Sequence, residues 1–461
     1  MKTVKDPANA LADGLAAIRL QYQVPEGFPA EVLAAAEDAA KRAPTDHADR
    51  TAESFVTLDP ASSTDLDQAF AIEASGNDLL LHYAIADVTW FVDEGGLIDA
   101  EAWRRGATLY LPDGKASLYP PVLCENAASL LPNGPRPAVI FRVRVDGDGD
   151  SILDGAERAI IRSRTKLAYE TVADAELPPG FAELGRRIAA AEARRGAARV
   201  DPPEQEVTPL GEERYQLAFR PRLASESRNA AMSLAANLAV AETLFAHKTG
   251  LFRVMPVPDA HAVQRLRMTA KALALDWPAA TSLADYERTL SHSDPAQEAM
   301  MLAIRRAGQG ASYVPFTGGQ VPWHSAMAAT YAHATAPLRR LADRYVIMAA
   351  LAVANGRPVP AAVAEAFAKL PKVMARADAR GSQIERAVVD LAEAAMLKGR
   401  EGEVFEAVVT DEDERGVRIQ LCGLPVVARV VAHHVEPGDW LRVRLTAADP
   451  VGRTLSFQRV T

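Results

Sequence analysis

Apolar positions three and four apart dominate the first 41 residues and predict two short helices, over residues 8–20 and 29–41. Pro25, Glu26 and Gly27 break the pattern between them. A hairpin this small cannot bury a core of its own, so it is expected to pack on the next domain of the chain. The other reading is a helix-turn-helix-like unit, but no basic face stands out on the second helix. From Phe55 the period changes. Residues 79–86 and 138–145 read as strands, the second with clear alternation, and DGDG at 146–149 reads as a hairpin turn. Helical spacing returns over 166–174, 181–195, 228–249, 343–355 and 372–400. After Gly399 the chain alternates again, over 404–410, 417–421, 426–431, 440–445 and 454–457. Five short strands in so short a stretch suit an OB-type barrel. The pattern predicts an α+β protein in three parts: a helical segment (1–48), a mixed α/β domain (49–398) and an OB-fold barrel (399–461).

Composition changes this picture little. The chain has 461 residues, of which 49% are hydrophobic and 24% charged, enough apolar content for an ample core. No uninterrupted apolar run is long enough to span a bilayer. The start, MKTVKDP, lacks the apolar core of a signal peptide. Two cysteines, Cys124 and Cys422, cannot build a zinc site alone and suit a reducing compartment. The expected state is a cytoplasmic monomer with no membrane partner. A net charge of −9 argues against a protein that coats nucleic acid through bulk positive charge, yet leaves room for a local basic channel.

Candidate chemistry concentrates in two places. The first is TLDPASSTDLDQA at 57–69, where Asp59, Asp65 and Asp67 fall within nine residues of a segment unsuited to helix. Hard divalent cations need clustered oxygen ligands of this kind. Pro60 biases Asp59 towards an extended conformation, and Asp65 and Asp67 project to one side of an extended chain, so the three acids are expected to converge. The plain alternative is a solvated acidic loop. An EF-hand is excluded, because the glycine and closing glutamate of that motif are missing.

The second is YAHATAPLRRLADR at 331–344. Thr335 and Pro337 predict a helix start, with Arg339 and Arg340 in or near its first turn. Arginines there oppose the helix dipole, a conflict that a bound phosphate would relieve. The alternative is a pair of surface arginines bridged to Asp343.

Together these clusters resemble the signatures of the ribonuclease II / ribonuclease R exoribonuclease family, T-I-D-P-x-x-x-x-D-I-D-D-A and Y-x-H-x-T-S-P-I-R-R-Y-x-D, which belong to its RNB catalytic domain. The resemblance continues through AIADV (84–88), RGATLYLPD (105–113), SLLP (129–132), RSRTKLAY (162–169) and IERA (384–387). It implies an RNB-type mixed α/β catalytic domain that hydrolyses single-stranded RNA from its 3′ end to nucleoside 5′-monophosphates, with Mg²⁺ or Mn²⁺ as cofactor. Asp59, Asp65 and Asp67 match the family's acidic site, Asp67 being the position most tied to chemistry. Arg339 matches the arginine that stabilises the phosphate in the transition state, with Arg340 and Thr335 beside it as substrate contacts. Tyr110 matches the aromatic that stacks on the terminal nucleotide, while Tyr169 and Glu385 match further positions along the RNA path. The barrel stands where the family carries an RNA-binding module, with Phe405, Trp440 and Phe457 as its few aromatics; a structural cap is the competing reading.

Four departures from that pattern shape the expectations. Gln68 replaces a fourth aspartate, so the resemblance gives it as a neutral metal ligand and predicts a weakened second metal position. Asn229 to Met232 stand where the family usually has paired glutamates. Leu341 replaces an aromatic after the arginine pair. Only about 50 residues precede the catalytic domain, which predicts a more open entrance, able to approach structured RNA. A catalytically silent RNA-binding protein of the same fold is the alternative from another class.

Overall fold

The computed structural model describes residues 2–4, 10–197, 204–211, 214–220, 223–291, 294–308, 310–413 and 416–460. Helices α1 (Ala10–Gln21) and α2 (Ala30–Ala40) fall within two residues of the expected spans, but they bury their stripes in different clusters and do not pair as the expected hairpin. Their apolar stripes are buried, through Leu11, Leu15 and Ile18 on α1 and Val32, Ala36 and Ala39 on α2. Neither helix stands alone. The α2 stripe joins the main core, and the α1 stripe joins a second cluster that includes Leu109, Leu111 and Ile384.

A seven-stranded sheet forms the centre of the larger domain. Its order is Ser163–Ala168, Phe55–Asp59, Gln68–Ser75, Asp78–Ala86, Arg136–Val145, Ser151–Ile161 and Ala48–Asp49. Pairing is parallel at both edges and antiparallel between them. Phe55, Val56, Thr57 and Leu58 are all buried, as expected of a strand covered on both faces.

Helix α3 (Leu97–Arg105) leads into a small hairpin, Leu109–Leu111 paired with Gly114–Ala116. Beyond the sheet come α4 (Phe181–Arg195) and α5 (Ala224–Ala246). Three helices that the pattern did not disclose, α6 (Ala260–Ala272), α7 (Leu283–Glu287) and α8 (Pro295–Ala307), form a satellite with its own core around Trp277 and Tyr286. Asp259, Ser282 and Asp294 cap their N-termini with side-chain hydrogen bonds. Helix α9 (Leu341–Ala354) is almost wholly buried. Helix α10 (Ala361–Leu397) starts eleven residues before the expected boundary of 372, because Pro371 is carried inside it.

Two local expectations fail. Residues 163–168 are a strand rather than the start of a helix over 166–174, since parallel pairing with Phe55–Asp59 outweighs helical spacing in so short a run. The second concerns Arg339 and Arg340. Both precede α9, and Arg340 has extended backbone angles (φ −131°, ψ 120°).

The C-terminal barrel is closed, with neighbours in the order Val404–Asp413, Gly416–Leu421, Val427–Val431, Thr454–Val460 and Trp440–Asp449. The first strand runs on to Asp413, three residues past the expected end at 410. Phe405 and Phe457 are buried against each other in the barrel core, leaving Trp440, 67% exposed, as the aromatic that faces outward. Among the described residues, no helix is long and apolar enough to cross a membrane.

Candidate active site

Asp59 ends its strand, and the following loop is fastened at several points. Lys166 donates to the carbonyls of Ala61 (2.7 Å) and Ser63 (2.6 Å). The Ser129 hydroxyl donates to the Thr64 carbonyl and accepts from the Leu66 N–H. These bonds satisfy backbone groups that no sheet partner reaches. They deliver Asp67 into the interior at 4% exposure, immediately before the strand that begins at Gln68.

The arginine loop reaches the same point from the other end of the chain. Asp343, in the first turn of α9, accepts from the N–H groups of Thr335 (3.1 Å) and Ala336 (2.8 Å) and from both arms of Arg340 (2.8 and 2.6 Å). Burial works against its charge, but Arg340 outweighs it and holds the carboxyl below its ordinary range. The α9 N-terminus is closed by backbone instead of a side-chain cap: the Leu341 N–H donates to the Gly106 carbonyl. Gly106 has φ 75°, and a Cβ there would stand 3.0 Å from Ala377, so this approach requires glycine. Helix α5 supplies the remaining ties. Asn237 accepts from the Ala334 N–H, and Asn229 donates to the Leu58 carbonyl and the Tyr169 hydroxyl.

The Leu338 N–H therefore donates to Asp67 Oδ1 at 2.7 Å, and Arg339 Nε donates to Asp67 Oδ2 at 3.2 Å. Burial raises the Asp67 carboxyl to about 7 against the pull of Arg339, and raises Asp59 to about 6 in the same way. Asp65 lies close enough to add to both shifts. Its own carboxylate contacts Lys115 Nζ at 2.8 Å, with the Tyr110 hydroxyl 3.5 Å away.

The remaining predicted residues divide by position. Tyr110 is 55% exposed at the centre of its hairpin. Tyr169 sits beside Asp59, its N–H donating to the Asp59 carbonyl. Gln68 accepts the Tyr83 hydroxyl through its amide oxygen. Thr335 is buried, its hydroxyl bonded to Ser233, and Arg340 is locked onto Asp343, so both support the loop instead of lining an open surface. Glu385 is exposed on α10, next to Ile384, which clusters with Leu109 and Leu111. Lys115, Lys166, Asn237 and Ser129 went unassigned by sequence reasoning. Ser129 and Lys166 stand inside matched segments that carried no role for them, and Lys115 lies two residues past one.

The expected convergence of the acids is only partly met. Among the described residues, no three of His, Cys, Asp or Glu form a ready-made metal-ligand set. The reason is local: Asp65 is drawn to Lys115, while Asp67 is held by Leu338 and Arg339. The donor chemistry nevertheless fits a hard cation, since all candidates are oxygens and two buried carboxyls lack enough positive charge to ionise readily.

Residues 48–354 match the RNB domain model, and residues 403–460 match the RNase II-type exonuclease C-terminal S1 domain. The chain belongs to the RNB family. Among curated relatives, ribonuclease R of Aquifex aeolicus is 27% identical over 434 residues, covering 87% of this chain and 60% of that protein. The first relatives matched are spanned only in part, over 20 to 60% of their length. Ribonuclease R of Mycoplasma genitalium, solved with ribose-methylated single-stranded RNA, superposes with a TM-score of 0.86 at 19% identity. That match covers all of this chain and 79% of the other. Yeast Ssd1, described as a pseudonuclease, gives a TM-score of 0.70 at 17% identity, over 93% of this chain and 56% of that one. At such identities these likenesses establish the RNB fold.

Proposed function

We propose that this chain is a 3′→5′ exoribonuclease that hydrolyses single-stranded RNA to nucleoside 5′-monophosphates, with Mg²⁺, or Mn²⁺ in its place, as cofactor. The observation that carries the reading is the 3.2 Å contact between Arg339 and Asp67, residues 272 apart in sequence. Membership of the RNB family and the fold shared with an RNA-bound ribonuclease R support it.

Asp59, Asp65 and Asp67, with the Gln68 amide oxygen, are the residues that would hold the cation. When bound, it supplies Lewis acidity and an activated water. Arg339 is tethered to Asp67 yet 42% exposed, so its guanidinium can meet phosphate oxygens as charge builds on them. Tyr110 offers an exposed ring to the terminal base, and stacking tolerates any base. Tyr169 and Glu385 are assigned to flanking substrate contacts, and Trp440 to an outer contact on the barrel. Thr335 and Arg340 act through the loop they stiffen.

One observation favours the catalytically silent alternative: Gln68 brings no charge, and its oxygen already accepts the Tyr83 hydroxyl. Purified protein with 5′-end-labelled poly(A) and Mg²⁺ separates the two. Progressive shortening from the 3′ end, lost in Asp67→Asn, is the expected result; binding without shortening establishes the alternative. A labelled duplex with a short 3′ overhang measures how near to a junction shortening proceeds.

A further inference from the structure

Lys115 lies outside every motif assigned above. It sits on the second strand of the hairpin Leu109–Leu111/Gly114–Ala116, directly across from Tyr110. Its ammonium contacts Asp65 Oδ1 at 2.8 Å and Glu125 Oε1 at 3.1 Å. Exposed pairs of this kind ordinarily contribute little. This one is more enclosed, with the Lys115 and Asp65 side chains 22% and 12% exposed. The same carboxylate adds its negative field to the buried Asp59 and Asp67 carboxyls. A fixed cation is therefore built into the acidic cluster, on the side of the stacking tyrosine.

Formal charge gives this arrangement a consequence. With all four acids ionised, as a bound cation requires, Asp59, Asp65, Asp67 and Glu125 face Arg339, Lys115 and Lys166, which leaves one net negative charge. One divalent cation and one phosphodiester bring the set to neutrality. A second divalent cation would leave two positive charges uncompensated in a partly buried site, where such an excess is costly. Gln68 points the same way, because its neutral amide oxygen is engaged by Tyr83.

We propose that Lys115 is a positioning residue whose ammonium takes the place of a second divalent ion, so that the site holds a single divalent cation. The inference rests on the metal-dependent reading above and deepens it. By holding Asp65, Lys115 also ties the hairpin that presents Tyr110 to the loop that carries the acids.

The test is Mn²⁺ titration of the full chain, with free Mn²⁺ followed by electron paramagnetic resonance. Wild type and Lys115→Arg are expected to bind one Mn²⁺ per chain. The double variant Lys115→Met with Gln68→Asp is expected to bind two, with the broadened signal of an exchange-coupled pair. Two sites of similar affinity in wild type, or a double variant that stays at one, overturns the proposal. Circular dichroism checks that each variant is folded; if the double variant is not, the counts for wild type and Lys115→Arg decide. Poly(A) shortening is run in parallel. A chain that shortens RNA yet binds two Mn²⁺ loses this inference alone, whereas one that neither binds Mn²⁺ nor shortens RNA loses the functional reading as well.

Discussion

At Asp67, a carboxylate accepts from the Leu338 N–H and from Arg339 while burial works to keep it protonated. Asp67→Asn preserves size and one acceptor for Leu338 but removes the charge. Shortening of end-labelled RNA is expected to fall by roughly 100-fold or more, with little change in melting temperature. A rate within about tenfold of wild type would remove Asp67 from the reaction. The two adjacent arginines should separate cleanly. Arg339 is 42% exposed, so Arg339→Ala is expected to lower kcat by about 100- to 1,000-fold with little loss of stability. Arg340→Ala instead leaves the fully buried Asp343 carboxylate without its main partner, at a cost of about 3–5 kcal/mol read by denaturant unfolding. If Arg340→Ala unfolds like wild type, the loop is not organised as described.

Among the elements, the tyrosine hairpin depends on a helix from the start of the chain. Arg19 on α1 grips Asp113 with two bonds (2.8 and 2.9 Å) and reaches the Gly114 carbonyl, while Leu11, Leu15 and Ile18 cluster with Leu109 and Leu111. Arg19→Ala should therefore free the hairpin tip without opening the core. The expected effect is a rise in KM of a few fold, under about 1.4 kcal/mol, with kcat nearly constant. A change in kcat alone would mean that α1 acts on the chemistry and not on substrate placement.

For the whole molecule, Glu393 is where the larger domain and the barrel meet. Near the end of α10, its Oε1 accepts from Gln205 Nε2 (2.6 Å) and from the Val427 N–H of the barrel (2.8 Å), and Gln205 also donates to the Pro425 carbonyl. Burial raises the Glu393 carboxyl from 4.5 to about 8, despite the opposing pull of those two bonds. The folded chain therefore holds a proton that the unfolded chain has lost. Stability from this group is complete below pH 4.5 and declines as pH rises through about 8, by on the order of a few kcal/mol. Glu393→Gln, which cannot ionise, is expected to flatten melting temperature against pH between 5 and about 8 and to melt higher than wild type at the upper end. Parallel profiles for the two proteins would show that Glu393 is not protonated in the fold.

The elements with a long, clean period were legible in the chain itself. The apolar stripes of α1 and α2, the alternation across 138–145 and the five barrel strands each carry their burial pattern in the order of residues. The two chemical clusters were legible for another reason: acids without helix signals, and an arginine pair after a proline, are unusual wherever they occur. Three-dimensional packing decided the rest. Residues 163–168 became a strand because a parallel neighbour was available. Arg340 and Thr335 became supports because Asp343 was buried between them. Lys115 met Asp65 only because a hairpin folded across a loop fifty residues earlier. Local periodicity reports which face of an element is dry, whereas the partner of a charge is set by contacts between segments that share no local signal.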